Sequence, residues 1–121
     1  MSVVVVFGIG VLGGVGAISR FLIDGAVSRR LLGGFPYGTL VVNLTGSFAL
    51  GVLVGVALES DAYRLAGTGL IGAYTTFSTW AFESHRLGED GQGRIAALNF
   101  TVSVVLGVLV AWAGRHLGMA L

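Results

Sequence analysis

The sequence predicts an all-α membrane protein with four transmembrane helices. Of its 121 residues, 55% are hydrophobic and only 11% are charged, and its mean hydropathy is +0.90. A water-soluble domain carries about a quarter charged residues. Four apolar blocks are each long enough to cross a bilayer, which takes roughly 20 residues, and they lie at about 3–23, 38–58, 65–82 and 95–114. Because the connections are short, residues 1–121 are expected to form a single transmembrane domain.

The composition excludes several classes of function. The chain has no cysteine, which excludes disulfides, zinc–thiolate sites and iron–sulfur clusters. Its formal net charge of +1 argues against nucleic acid as a partner. His85 and His116 are far apart, and no span holds a pair of carboxylates. The residues therefore do not indicate an enzyme.

The distribution of arginines gives a weak signal of topology. All seven basic residues are arginines. One side of the membrane carries Arg29, Arg30, Arg86 and Arg94, and the other carries Arg64 and Arg115 together with both termini. The positive-inside rule favours the first side as cytoplasmic. The bias is small, so it permits insertion both ways up.

Span one is rich in glycine and has an arginine near its end. Gly10/Gly14 and Gly13/Ala17 have the spacing of a closely packed transmembrane helix face. Arg20 either reaches towards the lipid headgroups or attracts anions in a vestibule. Residues 8–13 also match the dinucleotide pattern G-x-G-x-x-G, but no alternation of strands and helices follows, so no nucleotide site is expected.

Spans two and four carry matched polar stripes. Thr39, Asn43 and Ser47 repeat every four residues, and so do Asn99, Ser103 and Gly107, so each set shares one helix face. Asn43 serves either as packing between helices or as a site residue, because a carboxamide at membrane depth needs hydrogen-bond partners. The two stripes predict a narrow hydrogen-bonding track across the membrane.

Span three contains the most informative segment, residues 72–80, with the sequence GAYTTFSTW. Glycines weaken a helix, and the hydroxyl side chains compete for its backbone bonds. We predict a local unwinding near residues 72–76; the alternative is a continuous helix with polar packing. Unwound carbonyls at membrane depth suit a small cation.

The chemistry of the track favours a small anion. Its hydroxyl and amide groups donate hydrogen bonds without the cost of a buried cation. Phe77 and Trp80 lie three residues apart on one face, and the edges of aromatic rings are electropositive. The alternative for both rings is ordinary packing against lipid or helices.

These motifs resemble those of the Fluc (CrcB) fluoride channels. The resemblance is carried by GGVGAISRF at 13–21, GTLVVNLTGSFALG at 38–51, GAYTTFSTWAFE at 72–83 and the repeat in span four. It implies a fluoride-selective channel that releases cytoplasmic fluoride passively and confers fluoride resistance. It further implies an antiparallel, dual-topology dimer with two pores and a central sodium ion, in the prokaryotic inner or plasma membrane.

The resemblance also implies roles for individual residues. Asn43 would be the pore amide, Phe77 the first ring that meets fluoride and Trp80 the second. Thr39, Glu83 and Ser103 would belong to the polar track, and Arg20 to a vestibule. Backbone carbonyls of Gly72 and Thr75 would bind sodium. The predicted pore set is completed by Thr76, Ser78 and Asn99.

Three positions depart from the pattern of the family. Trp80 stands where phenylalanine is usual, Asn99 where tyrosine is frequent, and Gly107 where serine is found. These departures leave open a subunit that conducts only in a heterodimer with a paralogous partner, or a non-conducting scaffold subunit. A small multidrug exporter is a further alternative, although it would need an acid in span one, which has none before Asp24.

Overall fold

The computed structural model describes residues 1–121, all of them in helices or short connections. In chain order the elements are α1 (Val3–Arg30), α2 (Tyr37–Val56), α3 (Ser60–Tyr63), a π-helix (Arg64–Ile71), α4 (Gly72–Tyr74), α5 (Ser78–Glu89) and α6 (Gly93–Ala120). Helices α1, α2 and α6 are long and apolar enough to cross a membrane. The prediction of an all-α membrane protein is confirmed, and the predicted third span is an interrupted segment.

The helices do not end where the apolar blocks end. Helix α1 continues to Arg30, beyond the predicted limit at 23, because arginines in its last turn suit the negative end of the helix dipole. Helix α6 runs from Gly93 to Ala120, beyond the predicted 95–114 at both ends. Helix α2 stops at Val56, short of 58, because Ala57 adopts a left-handed conformation with φ 58°. Apolar composition marks the part of a helix within hydrocarbon, not its caps.

Glycines allow α2 and α6 to pack with their backbones in contact. A methyl group at Gly51 would meet the carbonyl oxygen of Ala111, and one at Gly114 would meet that of Phe48. Gly55 and Gly118 approach the opposite helix in the same way. Small residues four apart on both helices give the close approach typical of membrane helix pairs. This pair holds the two polar stripes at a fixed distance.

Helix α1 packs on the π-helix through Gly13, which belongs to one of the two predicted small-residue pairs, and through Gly16. A methyl group at Gly16 would meet the carbonyl oxygen of Leu70, and one at Gly13 would lie 3.7 Å from that of Gly69. By contrast, Gly10 and Gly14 have no atom within 4 Å of the added carbon. The predicted Gly10/Gly14 face is therefore not a packing face within this chain, whereas the Gly13 face is.

Candidate functional site

The helix break lies in the segment between α4 and α5. Helix α4 ends at Tyr74, Thr75 is extended with φ −78° and ψ 159°, and α5 begins at Ser78. The predicted unwinding is confirmed, and the continuous-helix alternative is wrong. The break begins later than predicted, however, because Gly72 keeps right-handed helical geometry with φ −59° and ψ −37°.

Asn43 of α2 replaces the backbone partners that the break removes. Its Nδ2 donates to the Thr76 carbonyl oxygen at 2.8 Å, and its Oδ1 accepts from the Thr76 amide at 2.8 Å. The Thr76 hydroxyl oxygen in turn accepts from the Thr79 amide at 3.2 Å and caps the start of α5. A backbone group without a partner is costly at membrane depth. Asn43 therefore stabilises the break directly.

Space for the break comes from a glycine on the same face of α2. A methyl group at Gly46 would overlap the Thr75 side chain and lie 3.2 Å from the Tyr74 ring. The Tyr74 hydroxyl lies 2.9 Å from the Thr45 hydroxyl, which donates to the Val41 carbonyl of its own helix. Sequence reasoning missed Gly46, although its spacing of three from Asn43 places both on one side of α2.

A polar cleft of about 300 Å³ opens beside the break. Hydrogen-bonding side chains from three elements face it, together with two aromatic rings. Among the residues predicted for the pore it is lined by Asn43, Thr76, Phe77, Trp80 and Ser103, and also by Ser47 and Thr75. The stripes of spans two and four thus meet at one cleft through Asn43, Ser47 and Ser103. Gly107 does not line it.

The two aromatic rings at the cleft are in contact with each other. The ring centroids of Phe77 and Trp80 are 5.3 Å apart with a tilt of 59°, and Trp80 stacks on Phe100 at 5.1 Å. The Trp80 indole N–H donates to the Asn99 backbone carbonyl at 3.4 Å. Phe77 is 75% exposed. The indole N–H therefore has a partner on α6, while the Phe77 ring projects from the protein.

Two further polar groups extend from the cleft towards the end of α5. The Thr39 hydroxyl donates to Glu83 Oε1 at 2.6 Å. Asn99 is fully buried; its Nδ2 donates to the Ser84 hydroxyl at 2.8 Å, and its Oδ1 accepts from Ser103 at 3.4 Å. These bonds place further polar side chains beside α5, at Glu83 and Ser84.

Three of the predicted site residues lie outside this arrangement. Ser78 is exposed, and its hydroxyl lies 3.5 Å from that of Thr76. Gly72 does not line the cleft, nor does Arg20, whose Nε is buried without a hydrogen-bond partner. Ser84 was missed, although it follows Trp80 by four residues and so shares a helix face with it.

The fold and site define an integral membrane protein with a polar cleft at a helix break between packed helices. The chain belongs to the CrcB family: residues 7–115 match the family described as CrcB-like protein, Camphor Resistance (CrcB). It is 54% identical over 115 residues to "Fluoride-specific ion channel FluC 2" of Mycobacterium bovis, covering 95% of this chain and 91% of the relative. It is 40% identical over 116 residues to "Fluoride-specific ion channel FluC 1" of Symbiobacterium thermophilum, covering 91% and 94%.

Proposed function

We propose that this chain is a subunit of a fluoride-selective channel that lets cytoplasmic fluoride leave the cell down its gradient. The cleft carries the proposal, because it combines neutral hydrogen-bond donors with two aromatic rings at a helix break. The names of the relatives, fluoride-specific ion channels, support the same ion.

The cleft offers hydrogen-bond donors that would replace the water around a fluoride ion without binding the ion too tightly for release. Each carboxamide nitrogen has two hydrogens, and Asn43 uses one of them for Thr76. Its second hydrogen is available to an anion in the cleft, whereas the Ser103 hydroxyl would have to turn away from Asn99 Oδ1, to which it donates at 3.4 Å. Passage needs binding that is strong enough for entry yet weak enough for release, and neutral donors satisfy that condition better than a buried arginine.

A second copy of the chain is part of the proposal. Phe77 is 75% exposed although it lines the polar cleft, so a partner subunit at this face would bury the ring and close the open side of the cleft. The weak arginine bias is compatible with an antiparallel, dual-topology arrangement in the cell membrane. In that arrangement each break would contribute a ring to the pore.

The break also fits a structural sodium ion between the subunits. The Thr75 carbonyl oxygen lies outside any helix and takes part in none of the hydrogen bonds around the break. Gly72 lies in the last turn before the break, where helix carbonyls lose their partners. Carbonyls of unwound membrane helices bind sodium. The ion would supply positive charge that holds the two breaks together.

Fluoride efflux from liposomes that contain only this purified chain tests the proposal. We expect rapid release of fluoride and none of chloride. We also expect activity to fall after slow removal of sodium from both faces; full activity without sodium would contradict the sodium site. Absence of release from a folded dimer would contradict a self-sufficient channel.

If the chain alone releases no fluoride, the efflux measurement would be repeated with a paralogous subunit in the same liposomes. The relatives include proteins named FluC 1 and FluC 2, which makes a second subunit type a specific alternative. Efflux that appears only on co-reconstitution would establish an obligate heterodimer.

A further inference from the structure

A second cleft, of about 330 Å³, continues from the polar cleft between α2 and α6. The two clefts share Ser47 and Leu50 as lining residues, so they adjoin each other. Beyond these residues the walls are apolar, formed mainly by Val54, Ala111 and Trp112. The only charged residue on the walls is Arg115, at the far end from the helix break.

Arg115 has no acidic partner. The ion pairs of the chain are Arg64–Asp61 and His85–Glu89, so the charge of Arg115 is not neutralised. The side chain is exposed. Trp112, which lines the same cleft, is 61% exposed and packs edge-on to His116 at 4.4 Å between ring centroids. An unpaired cation therefore lies on the wall of a mainly apolar cleft that adjoins the polar cleft.

The packing of α2 against α6 fixes the position of this arginine. A methyl group at Gly51 would lie 3.0 Å from the Arg115 amide nitrogen, and one at Gly55 would meet its carbonyl oxygen. The backbone of Arg115 is thus held directly against α2 by two glycines. The location of Arg115 at the second cleft therefore follows from the same contacts that pair α2 with α6.

We propose that Arg115 raises the local concentration of small anions at the second cleft, from which fluoride would enter the polar cleft. This inference rests on the proposed function. Low-dielectric walls focus the field of a charge and raise the local concentration of counter-ions. Arg115 would increase the rate at which fluoride reaches Ser47 without binding it within the polar cleft. Its effect would therefore depend strongly on ionic strength.

The first test compares Arg115→Gln with Arg64→Gln. Both arginines lie on the same side in the predicted topology, and Arg64 is paired with Asp61 at 3.1 Å. Initial fluoride efflux is measured in phosphatidylcholine liposomes at ionic strengths of about 0.01 and 0.3 M, where the Debye length falls from about 30 Å to under 10 Å. We expect Arg115→Gln to slow efflux about 3- to 10-fold at low ionic strength and under about 2-fold at high. Arg64→Gln should match the wild type.

Equal efflux of the two variants at low ionic strength would overturn the inference. An effect of Arg115→Gln that appears only in vesicles containing anionic lipid would also overturn it, because the arginine would then bind a lipid headgroup. Arg115→Lys keeps the charge and should retain the rate.

A second test does not depend on conduction. The chain has two tryptophans, so Trp80→Phe leaves Trp112 as the single tryptophan, which can be excited selectively at wavelengths that tyrosine no longer absorbs. We expect Arg115→Gln to lower the Stern–Volmer constant for iodide about two-fold and to leave that for acrylamide unchanged. Lower iodide quenching after Arg115→Gln in a chain that releases no fluoride would support the role of Arg115 and contradict only a self-sufficient channel. Unchanged quenching in a chain that does release fluoride would refute the role of Arg115.

Discussion

Replacement of Asn43 by alanine tests whether the helix break and fluoride conduction depend on the same side chain. The substitution removes two hydrogen bonds of 2.8 Å to the Thr76 backbone. Hydrogen bonds between membrane helices average about 0.6 kcal/mol, and those in proteins generally are worth about 1 kcal/mol net. Loss of both costs about 1 to 2 kcal/mol of local stability. Since 1.4 kcal/mol is tenfold, the opening equilibrium at the break should rise roughly 5- to 30-fold.

Two measurements on the same protein read out this change. Hydrogen exchange by mass spectrometry should show the increase in the peptide that contains Thr76, because that amide loses its acceptor. Fluoride efflux from liposomes should be abolished, while the oligomeric state in detergent should match that of the wild type. Thr45→Val serves as the control on α2, since Thr45 bonds to its own helix and to the Tyr74 hydroxyl but not to the backbone of the break.

The result that would refute the reasoning is specific. If Asn43→Ala stopped fluoride efflux with unchanged exchange at Thr76, Asn43 would act only as an anion ligand and the break would be stable without it. If exchange rose and efflux were unaffected, the break would not be part of the pathway. If Thr45→Val raised hydrogen exchange at Thr76 to the same extent, removal of any polar side chain from α2 would be enough to destabilise the helix break.

Three further predictions concern the rings, the polar extension and the helix pair. Phe77→Ile should abolish fluoride efflux, whereas Phe82→Ile, which changes a ring on α5 that does not line the cleft, should leave it normal. Thr39→Val removes the 2.6 Å bond to Glu83 and should slow efflux only a few-fold; complete loss would indicate a direct role in conduction. Gly114→Leu places a side chain against the Phe48 carbonyl and should destabilise the fold by about 1–3 kcal/mol, as overpacking does, measured by thermal unfolding in detergent; an unchanged midpoint would contradict the backbone contact.

The sequence predicted the elements that depend on simple periodicity. Apolar blocks of bilayer length indicate helices because hydrocarbon requires every backbone group to be paired. The four-residue repeats placed Asn43 and Ser103 on faces that meet at one cleft. These predictions rest on residue spacing alone, which can be read directly from the sequence.

Other features depend on contacts that spacing does not specify. The break starts at Thr75 and not at Gly72 because Asn43, on another helix, binds Thr76; a glycine lowers helix propensity without fixing where the helix ends. The π-helix at Arg64–Ile71 was also missed, because residue spacing does not specify it. In span one, small-residue pairs lie on more than one face, so spacing did not distinguish Gly13, which packs, from Gly10, which does not.

Trp80 and Asn99, two positions at which the resemblance implies a departure from the family pattern, lie next to each other in the structure. The Trp80 indole donates to the Asn99 carbonyl and stacks on Phe100, and Asn99 is fully buried beside it. Relative to the phenylalanine and tyrosine that the resemblance implies at these positions, an indole is larger than a phenyl ring and a carboxamide is smaller than a phenol, so the two changes in volume have opposite signs. The indole N–H is also satisfied by α6 and does not enter the cleft unpaired. Trp80 thus has its own packing and hydrogen-bond partner on α6, which argues against the non-conducting subunit that the sequence left open.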